Sequence, residues 1–321
     1  FYITPMFINF ADKNLNTKEF TNNSKKILLY TLNSTNEIDN ENKNSEEDLL
    51  YDIHSLNNLD SDTVRLSAST IKQLFEDTGY NLKDVRKKKL VKPVALDMIP
   101  NEIKMIENTK KRKEFFIQIV LPLIIEENNY IKIDRKTLFS IINKSNNTDA
   151  EKEWLERKYK QYGVKSKDLS TLKIRIDVIP VSLAIAQAAK ETGWGTSRFA
   201  QEGNALFGQW TWTGDGIKPA GADDDSTHKV MKFRILQASV KAYQRNLNTH
   251  STYKGFRSAR AKLRDKGKKL DSMILTEYLD KYAETGKEYV KILQQIIRQN
   301  NLEDFDDAKL LPTSIDLKSL I

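Results

Sequence analysis

The chain has 321 residues, a length that allows one large domain or two ordinary ones. Apolar residues make up 39% of it and charged residues 30%, which is typical of a globular protein with polar additions. The formal net charge of +8 favours an anionic partner such as nucleic acid, a lipid surface or a cell wall, or else serves only solubility. The absence of cysteine excludes a disulfide framework and a thiolate metal site.

Signals for membrane insertion or metal binding are missing. The first residue is Phe1, which is consistent with a removed signal peptide or with truncation. No run of about 18 apolar residues occurs, so we expect no membrane-spanning helix. His54, His228 and His250 are far apart, and no spacing such as HExxH links them. We predict neither a metal nor a cofactor.

The alternation of polar and apolar stretches divides the chain into five predicted segments. Between residues 33 and 48 only Ile38 is apolar, and such a segment buries too little surface to offset its ordering entropy. The segments are an N-terminal extension of unknown role (1–32), a polar, partly disordered linker (33–65), a helical region (66–149), an α-helical domain that carries the motif below (150–300) and a C-terminal tail (301–321).

Helical periodicity predicts a mainly α chain. From about residue 66, apolar residues recur at helical spacing up to Gly79, where a helix should end. A second helix is expected over about 110–129, with a buried aromatic and aliphatic face and a bend at Pro122. The segment 288–299 carries aliphatic residues on one face, which predicts an ordinary core helix.

One helix end carries a candidate acid. Pro180 opens an alanine-rich helix that runs to Glu191, and Gly193 follows where glycine commonly ends helices. The helix dipole and the apolar surroundings both disfavour an ionised Glu191, so its proton should persist to higher pH. A general acid needs this property to protonate a glycosidic oxygen. The alternative is a glutamate that simply faces solvent.

The residues around Glu191 resemble a known family. Segments 187–197 and 204–210 are similar to the glucosaminidase family of glycoside hydrolases, family seventy-three, which includes the flagellar peptidoglycan hydrolase FlgJ. They are more closely similar to the Bax proteins of Gram-negative bacteria. The likeness covers roughly residues 66–300, with matching stretches at 74–82, 115–123, 179–212 and 242–250.

The resemblance implies a lysozyme-like glucosaminidase domain at 150–300, with a small β-hairpin lobe. It implies hydrolysis of the β-1,4 bond after N-acetylglucosamine in peptidoglycan. By this resemblance Glu191 is the catalytic acid, and Tyr253 is the family's active-site tyrosine or else a packing residue. The location that follows is the periplasm or cell envelope, with peptidoglycan glycan strands as the partner.

The resemblance also implies residues that bind substrate. Asn204, Phe207 and Gly208 match the turn that lines the floor of the cleft, although Asn204 has a loop-fixing role as its alternative. Trp210 and Trp212 would share one face of a strand and stack on sugar rings, unless one of them is core. Trp194 is expected to be a wall beside Glu191.

Glycoside hydrolysis usually uses two carboxylates, so a second catalytic group is expected besides Glu191. Many family members carry a glutamate on the β-hairpin, but no glutamate occurs here between Glu202 and Glu277. Asp224 or Asp225 is the candidate, with a solvated turn as the alternative. Assistance by the substrate's acetamido group and lytic transglycosylase chemistry with a single acid also stay open.

Two other kinds of function compete with hydrolysis. One is a glycan-binding protein or scaffold of the envelope without catalysis, with protein partners contacted through the N-terminal extension. The other is nucleic-acid binding, which only the charge favours, since no nucleic-acid motif is present. We predict no nucleic-acid partner.

Overall fold

A computed structural model describes residues 63–211, 216–218 and 229–312, together with Asp52, Ile53 and Leu56. The expected extension 1–32, most of the expected linker and the hairpin residues 212–215 and 219–228 lie outside the described residues.

The described part of the chain is mainly α-helical, which confirms the predicted fold class. Three short 3₁₀ helices, Asn101–Met105, Ser251–Tyr253 and Leu302–Phe305, interrupt the described α-helices. In chain order these α-helices are α1 (Ala68–Asp77), α2 (Leu82–Lys88), α3 (Thr109–Ile142), α4 (Asp149–Gln161), α5 (Leu169–Arg175), α6 (Val181–Thr192), α7 (Arg198–Gly203), α8 (Leu236–Thr249), α9 (Lys254–Asp265), α10 (Ser272–Thr276) and α11 (Lys287–Gln299).

Short strands form two small sheets within the described residues. In one, β2 (Trp210–Thr211) and β3 (Gly216–Ile217) both pair antiparallel with β4 (Lys229–Met231), in the order β2–β4–β3. In the other, β1 (Leu90–Val91) pairs in parallel with β5 (Lys309–Leu310). The second sheet joins the end of the described chain to the helical region near its beginning.

Helix α3 is longer than the predicted 110–129 and continues through Pro122 to Ile142. A proline cannot donate to the carbonyl four residues earlier, which here belongs to Gln118. The hydroxyl of buried Tyr80 donates to that carbonyl at 3.1 Å, while the Gln118 side chain donates to the Tyr80 carbonyl at 2.8 Å. The freed acceptor is therefore satisfied from outside the helix. Within the described residues no helix is long and apolar enough to cross a bilayer.

Helix α6 lies at the centre of the molecule and packs against α3, α11 and the 3₁₀ helix Leu302–Phe305. Every residue from Val181 to Ala189 is buried, and the alanines among them allow close approach of neighbouring helices. Asp306 caps the start of α6, because its carboxyl accepts both the backbone N–H and the hydroxyl of Ser182 at 2.8 Å.

The apolar packing crosses the segment limits expected from the sequence. One cluster of buried side chains includes Phe116 of α3, Ile185 of α6 and Phe305. Of the residues after 300, expected to be a tail, Leu302–Phe305 and Asp306 thus cover and cap α6, and Leu310 of β5 packs against the same apolar cluster. The limits at 149/150 and 300/301 remain predictions.

Candidate active site

Three consecutive residues in left-handed conformation follow α6 and turn the chain away from Glu191. Gly193, Trp194 and Gly195 have φ of 56°, 62° and 84°. This region favours glycine, and a Cβ at Gly195 would lie 3.0 Å from the Phe116 ring. Glu191 lies in the last turn of α6, directly before this left-handed segment.

The carboxyl group of Glu191 is partly buried, with different surroundings for its two oxygens. Oε1 accepts a hydrogen bond from the hydroxyl of Tyr289 at 2.9 Å. Oε2 faces Gly208, where a Cβ would lie only 3.0 Å away, and Gly208 itself has φ of 60°. Burial raises the pKa of Glu191, although the bond from Tyr289 and the charge of Lys190 oppose this. The carboxyl group is thus biased toward its protonated form.

A chain of hydrogen bonds continues behind Tyr289. The hydroxyl of Tyr243 donates to Oε1 of Gln187 at 2.7 Å, and Nε2 of Gln187 donates to the hydroxyl of Tyr289 at 3.1 Å. Gln187 lies four residues before Glu191, so both side chains are on the same face of α6. Gln187, Tyr243 and Tyr289 are all buried. We call this series the Tyr243–Gln187–Tyr289 chain.

Aromatic rings surround this chain. Tyr282 stacks on Tyr289 with ring centroids 5.6 Å apart, and Tyr253 lies 5.9 Å from Tyr282. Burial, with a smaller contribution from the charge of Glu191 and against a hydrogen bond from Asn246, raises the pKa of Tyr253 to about 12. Burial also raises the pKa of Tyr282 and Tyr289. These phenols therefore stay neutral near pH 7 and keep their protons for donation.

The structure brings together three residues that the sequence singled out: Glu191, Gly208 and Tyr253. Tyr253 lies in the 3₁₀ helix after α8, is 7% exposed and interacts electrostatically with Glu191. Gly208 lies beside the carboxyl group, since a Cβ added there would be 3.0 Å from Oε2. Burial leaves little of the Tyr253 ring open, so its predicted role in the site depends on its hydroxyl.

Two other predicted site residues, Phe207 and Asn204, make contacts that support the site. The ring of Phe207 is buried against Tyr243, with centroids 3.8 Å apart, and its carbonyl accepts from the hydroxyl of Tyr282 at 2.8 Å. Asn204, with φ of 49°, donates to the carbonyls of Phe233 and Arg234 at 3.1 and 2.9 Å. These contacts hold the turn before Gly208 in place.

The described contacts of the Trp194 ring are with residues of α3. The ring meets the edge of Phe116 at 5.9 Å, and Nζ of Lys113 lies 4.9 Å from its centre. Trp194 therefore ties the end of α6 to α3.

Several predicted residues fall in the hairpin. The backbone of Trp210 lies in β2, opposite Val230. The side chain of Trp210 and all of Trp212, Asp224 and Asp225 lie outside the described residues. In the part of the chain that is described, no cluster of three or more His, Asp or Glu has a geometry suited to a metal ion.

Sequence reasoning missed the partners of Glu191. Tyr289 belongs to the helix that periodicity predicted as an ordinary core helix, and Gln187, Tyr243 and Tyr282 received no role. One signal was available, because a buried tyrosine hydroxyl needs a hydrogen-bond partner. Tyr289 sits on the buried face of α11 among Val290, Leu293 and Ile297, which have no polar side-chain atoms.

Comparison with known proteins identifies the domain that contains this site. Residues 166–302 match the family model of the glucosaminidase domain, described as mannosyl-glycoprotein endo-beta-N-acetylglucosaminidase. The protein bax of Escherichia coli (strain K12) is 33% identical over 195 residues, which cover 59% of this chain and 70% of that protein. No solved structure matches the chain significantly.

The matched domain contains every described residue of the Glu191 cluster, from Gln187 to Tyr289. A glucosaminidase domain supports peptidoglycan-related glycosidase activity in general terms. The chain belongs to the family of Bax-type proteins that carry a glucosaminidase domain.

Proposed function

We propose that this chain is a peptidoglycan hydrolase that cleaves the β-1,4 bond after N-acetylglucosamine, with Glu191 as its general acid. The observation that carries the proposal is the carboxyl group of Glu191. It is partly buried, burial raises its pKa, and neutral phenols face it. Such a carboxyl group keeps its proton to higher pH than a free glutamate does, and its partial exposure leaves it open to donate that proton.

The first chemical step follows from that protonation state. Glu191 donates its proton to the glycosidic oxygen, which keeps the electron pair of the broken C–O bond. The sugar cation that results is captured by water, and the proton that water releases returns to the carboxylate of Glu191. Because the pKa of Tyr253 is about 12, its phenol remains a neutral donor throughout.

A second carboxylate would stabilise the cation or activate the water. Asp224 or Asp225 is our proposal for this role, with the substrate's acetamido group as the other source of assistance. Among the described residues, no other carboxyl group interacts with Glu191. A lytic transglycosylase, in which the sugar's own hydroxyl attacks, needs one acid only and is the second candidate function.

The remaining predicted residues would hold the substrate. Trp210 and Trp212 would stack on sugar rings, because aromatic rings present broad apolar faces. Gly208 would leave room beside Oε2 for the glycosidic oxygen, while Asn204 and Phe207 hold its turn. We assign Trp194 to the support of the helix end.

The proposed setting is the cell envelope or periplasm, where peptidoglycan lies. The net charge of +8 suits an anionic wall. Envelope proteins would be contacted through residues 1–32.

The test is mass spectrometry of fragments released from purified peptidoglycan. The native protein, Glu191→Gln and the control Glu202→Gln, a change at an exposed glutamate of α7, are compared. We expect new reducing N-acetylglucosamine ends from the native protein and the control only. Anhydro-muramic ends would indicate the transglycosylase. Wall binding without fragments would indicate a glycan-binding protein, and full activity of Glu191→Gln would refute the assignment.

A further inference from the structure

The two oxygens of Glu191 are not equivalent, and the inequality originates far from the carboxyl group. We propose that the Tyr243–Gln187–Tyr289 chain positions the acid so that its transferable proton is on Oε2, on the side of Gly208. Gln187, Tyr243 and Tyr289 are then positioning residues. The inference rests on the proposed role of Glu191 as general acid and names the atom that performs it.

The chemistry of the groups dictates the direction of each hydrogen bond. Oε1 of Gln187 is a carbonyl oxygen and only accepts, so the hydroxyl of Tyr243 donates to it. Nε2 of Gln187 only donates, so the hydroxyl of Tyr289 is the acceptor there. The single proton of Tyr289 is left for Oε1 of Glu191, at 2.9 Å.

Burial selects this direction over its reverse. With the amide of Gln187 turned over, Nε2 would donate to Tyr243, whose own proton would lose the acceptor that Oε1 of Gln187 provides. Tyr243 and Gln187 are both 0% exposed, so bulk solvent does not reach them to replace the lost partner. An unsatisfied buried donor is costly, which favours the order from Tyr243 to Glu191.

This direction of the hydrogen bonds leaves only Oε2 for the proton of neutral Glu191. A proton on Oε1 would meet the proton of Tyr289 within a contact of 2.9 Å. A proton on Oε2 avoids that conflict and points into the space that Gly208 leaves by having no side chain. The glycosidic oxygen must therefore approach Glu191 from the side of Gly208.

The groups that face Glu191 are few in the described structure. Tyr289 of α11 donates to it, Lys190 of its own helix contributes a positive charge, and Tyr253 and Tyr282 interact with it as neutral phenols. Tyr289 stabilises the ionised form, because it donates to the carboxylate. Removal of that hydroxyl should raise the pKa of Glu191 further.

The experiment compares Tyr289→Phe and Tyr243→Phe with the native protein. The control is Tyr159→Phe, at a buried tyrosine of a separate apolar cluster. The ¹³C signal of the Glu191 side-chain carboxyl, assigned by its loss in Glu191→Gln, is titrated in each folded protein. We expect the Glu191 pKa to move up by about one unit in Tyr289→Phe, by less in Tyr243→Phe, and to stay constant in the control.

The direction of the shift decides the proposal. If Tyr289 instead accepted a proton from Oε1, its removal would destabilise the neutral acid and lower the pKa of Glu191. A lowered or constant pKa in both variants would therefore overturn the inference. Thermal unfolding verifies that each variant is folded. If Tyr289→Phe does not fold, the pKa of Glu191 in Tyr243→Phe alone tests the inference.

Activity supplies a second readout. In Tyr289→Phe we expect kcat to fall roughly tenfold with KM within about twofold, and the alkaline limb of the pH profile to move upward. The titration needs no turnover. If the peptidoglycan assay shows Glu191→Gln to be active, the proposed function fails while the titration still reports on the positioning chain.

Discussion

Two carboxylates of this domain, the partly buried Glu191 and the buried Asp177, show that partners rather than burial alone decide ionisation. Burial opposes the charge of both. At Asp177, 2% exposed, the guanidinium groups of Arg260, Arg264 and Arg135 overcome burial and hold the pKa below its usual range. At Glu191 the facing groups are phenols and a single lysine, and the pKa is raised.

The difference in partners separates a structural carboxylate from a chemical one. Arg264 binds Asp177 with two hydrogen bonds, at 2.9 and 3.1 Å. Arg260 meanwhile donates to carbonyls near the end of α5 and the start of α6, including that of Asp177 itself. These guanidinium groups hold the carboxylate in its charged form, so Asp177 joins elements. Glu191 has no such cation in the described structure, which leaves its proton available.

The largest expected effect tests the proposed catalytic role of Glu191. Glu191→Gln should lower glycan cleavage by roughly 10²–10⁴-fold, the range that a positioned general acid contributes. Its stability should equal or exceed that of the native protein, because a buried ionisable group is replaced by a neutral one. Initial rates of fragment release and denaturant unfolding test both halves.

The next largest effect tests the structural role of Asp177. Asp177→Ala should cost about 3–5 kcal/mol of unfolding free energy, because it leaves Arg260, which is fully buried, without its carboxylate. Urea unfolding measures this change. A loss below about 1 kcal/mol, as at an exposed ion pair, would contradict the structural role; the exposed pair of Lys152 and Asp149, through Asp149→Ala, is the control.

A smaller effect concerns the space beside Oε2. Gly208→Ala adds a Cβ 3.0 Å from Oε2 of Glu191 at φ of 60°, so activity should fall about tenfold and stability by about 1–2 kcal/mol. Gly79→Ala is a matched control, because its φ is 63° and its Cβ would meet no atom within 4 Å. Equal loss of activity in the two variants would contradict a specific role for Gly208.

The subtlest effect is a pair of opposite pH dependences of stability. The lowered pKa of Asp177 stabilises the fold above its ordinary value of 3.8, and this contribution is lost as pH falls through the folded pKa. The raised pKa of Glu191 stabilises the fold at pH values below 4.5, its ordinary pKa, and this contribution is lost as pH rises through the pKa of the folded state.

These dependences are measured against neutral variants. The advantage of the native protein over Asp177→Asn should shrink toward low pH. Glu191→Gln should instead gain on the native protein as pH rises above 4.5. Urea unfolding at a series of pH values tests both. If the stability difference between native protein and variant changed with pH in the same direction for both residues, the comparison would be wrong.

Local signals in the sequence were enough to predict much of the helix that carries Glu191. Pro180 lies at its N-cap, and Gly193 ends it in left-handed conformation. Periodicity also predicted α11 within one residue of its observed start. Capping and periodicity act over a few residues, so one segment contains all the information they need.

The partners of that helix were decided by the tertiary structure. Tyr289 is 98 residues from Glu191, Tyr243 is 56 from Gln187, and Asp306 is 124 from Ser182. Likewise α3 runs through Pro122 because Tyr80, from another segment, takes over the freed carbonyl of Gln118. A buried hydroxyl or carbonyl must be paired, but only the packing of distant helices determines with which group, and so a helix that reads as core also supplies the donor to the acid.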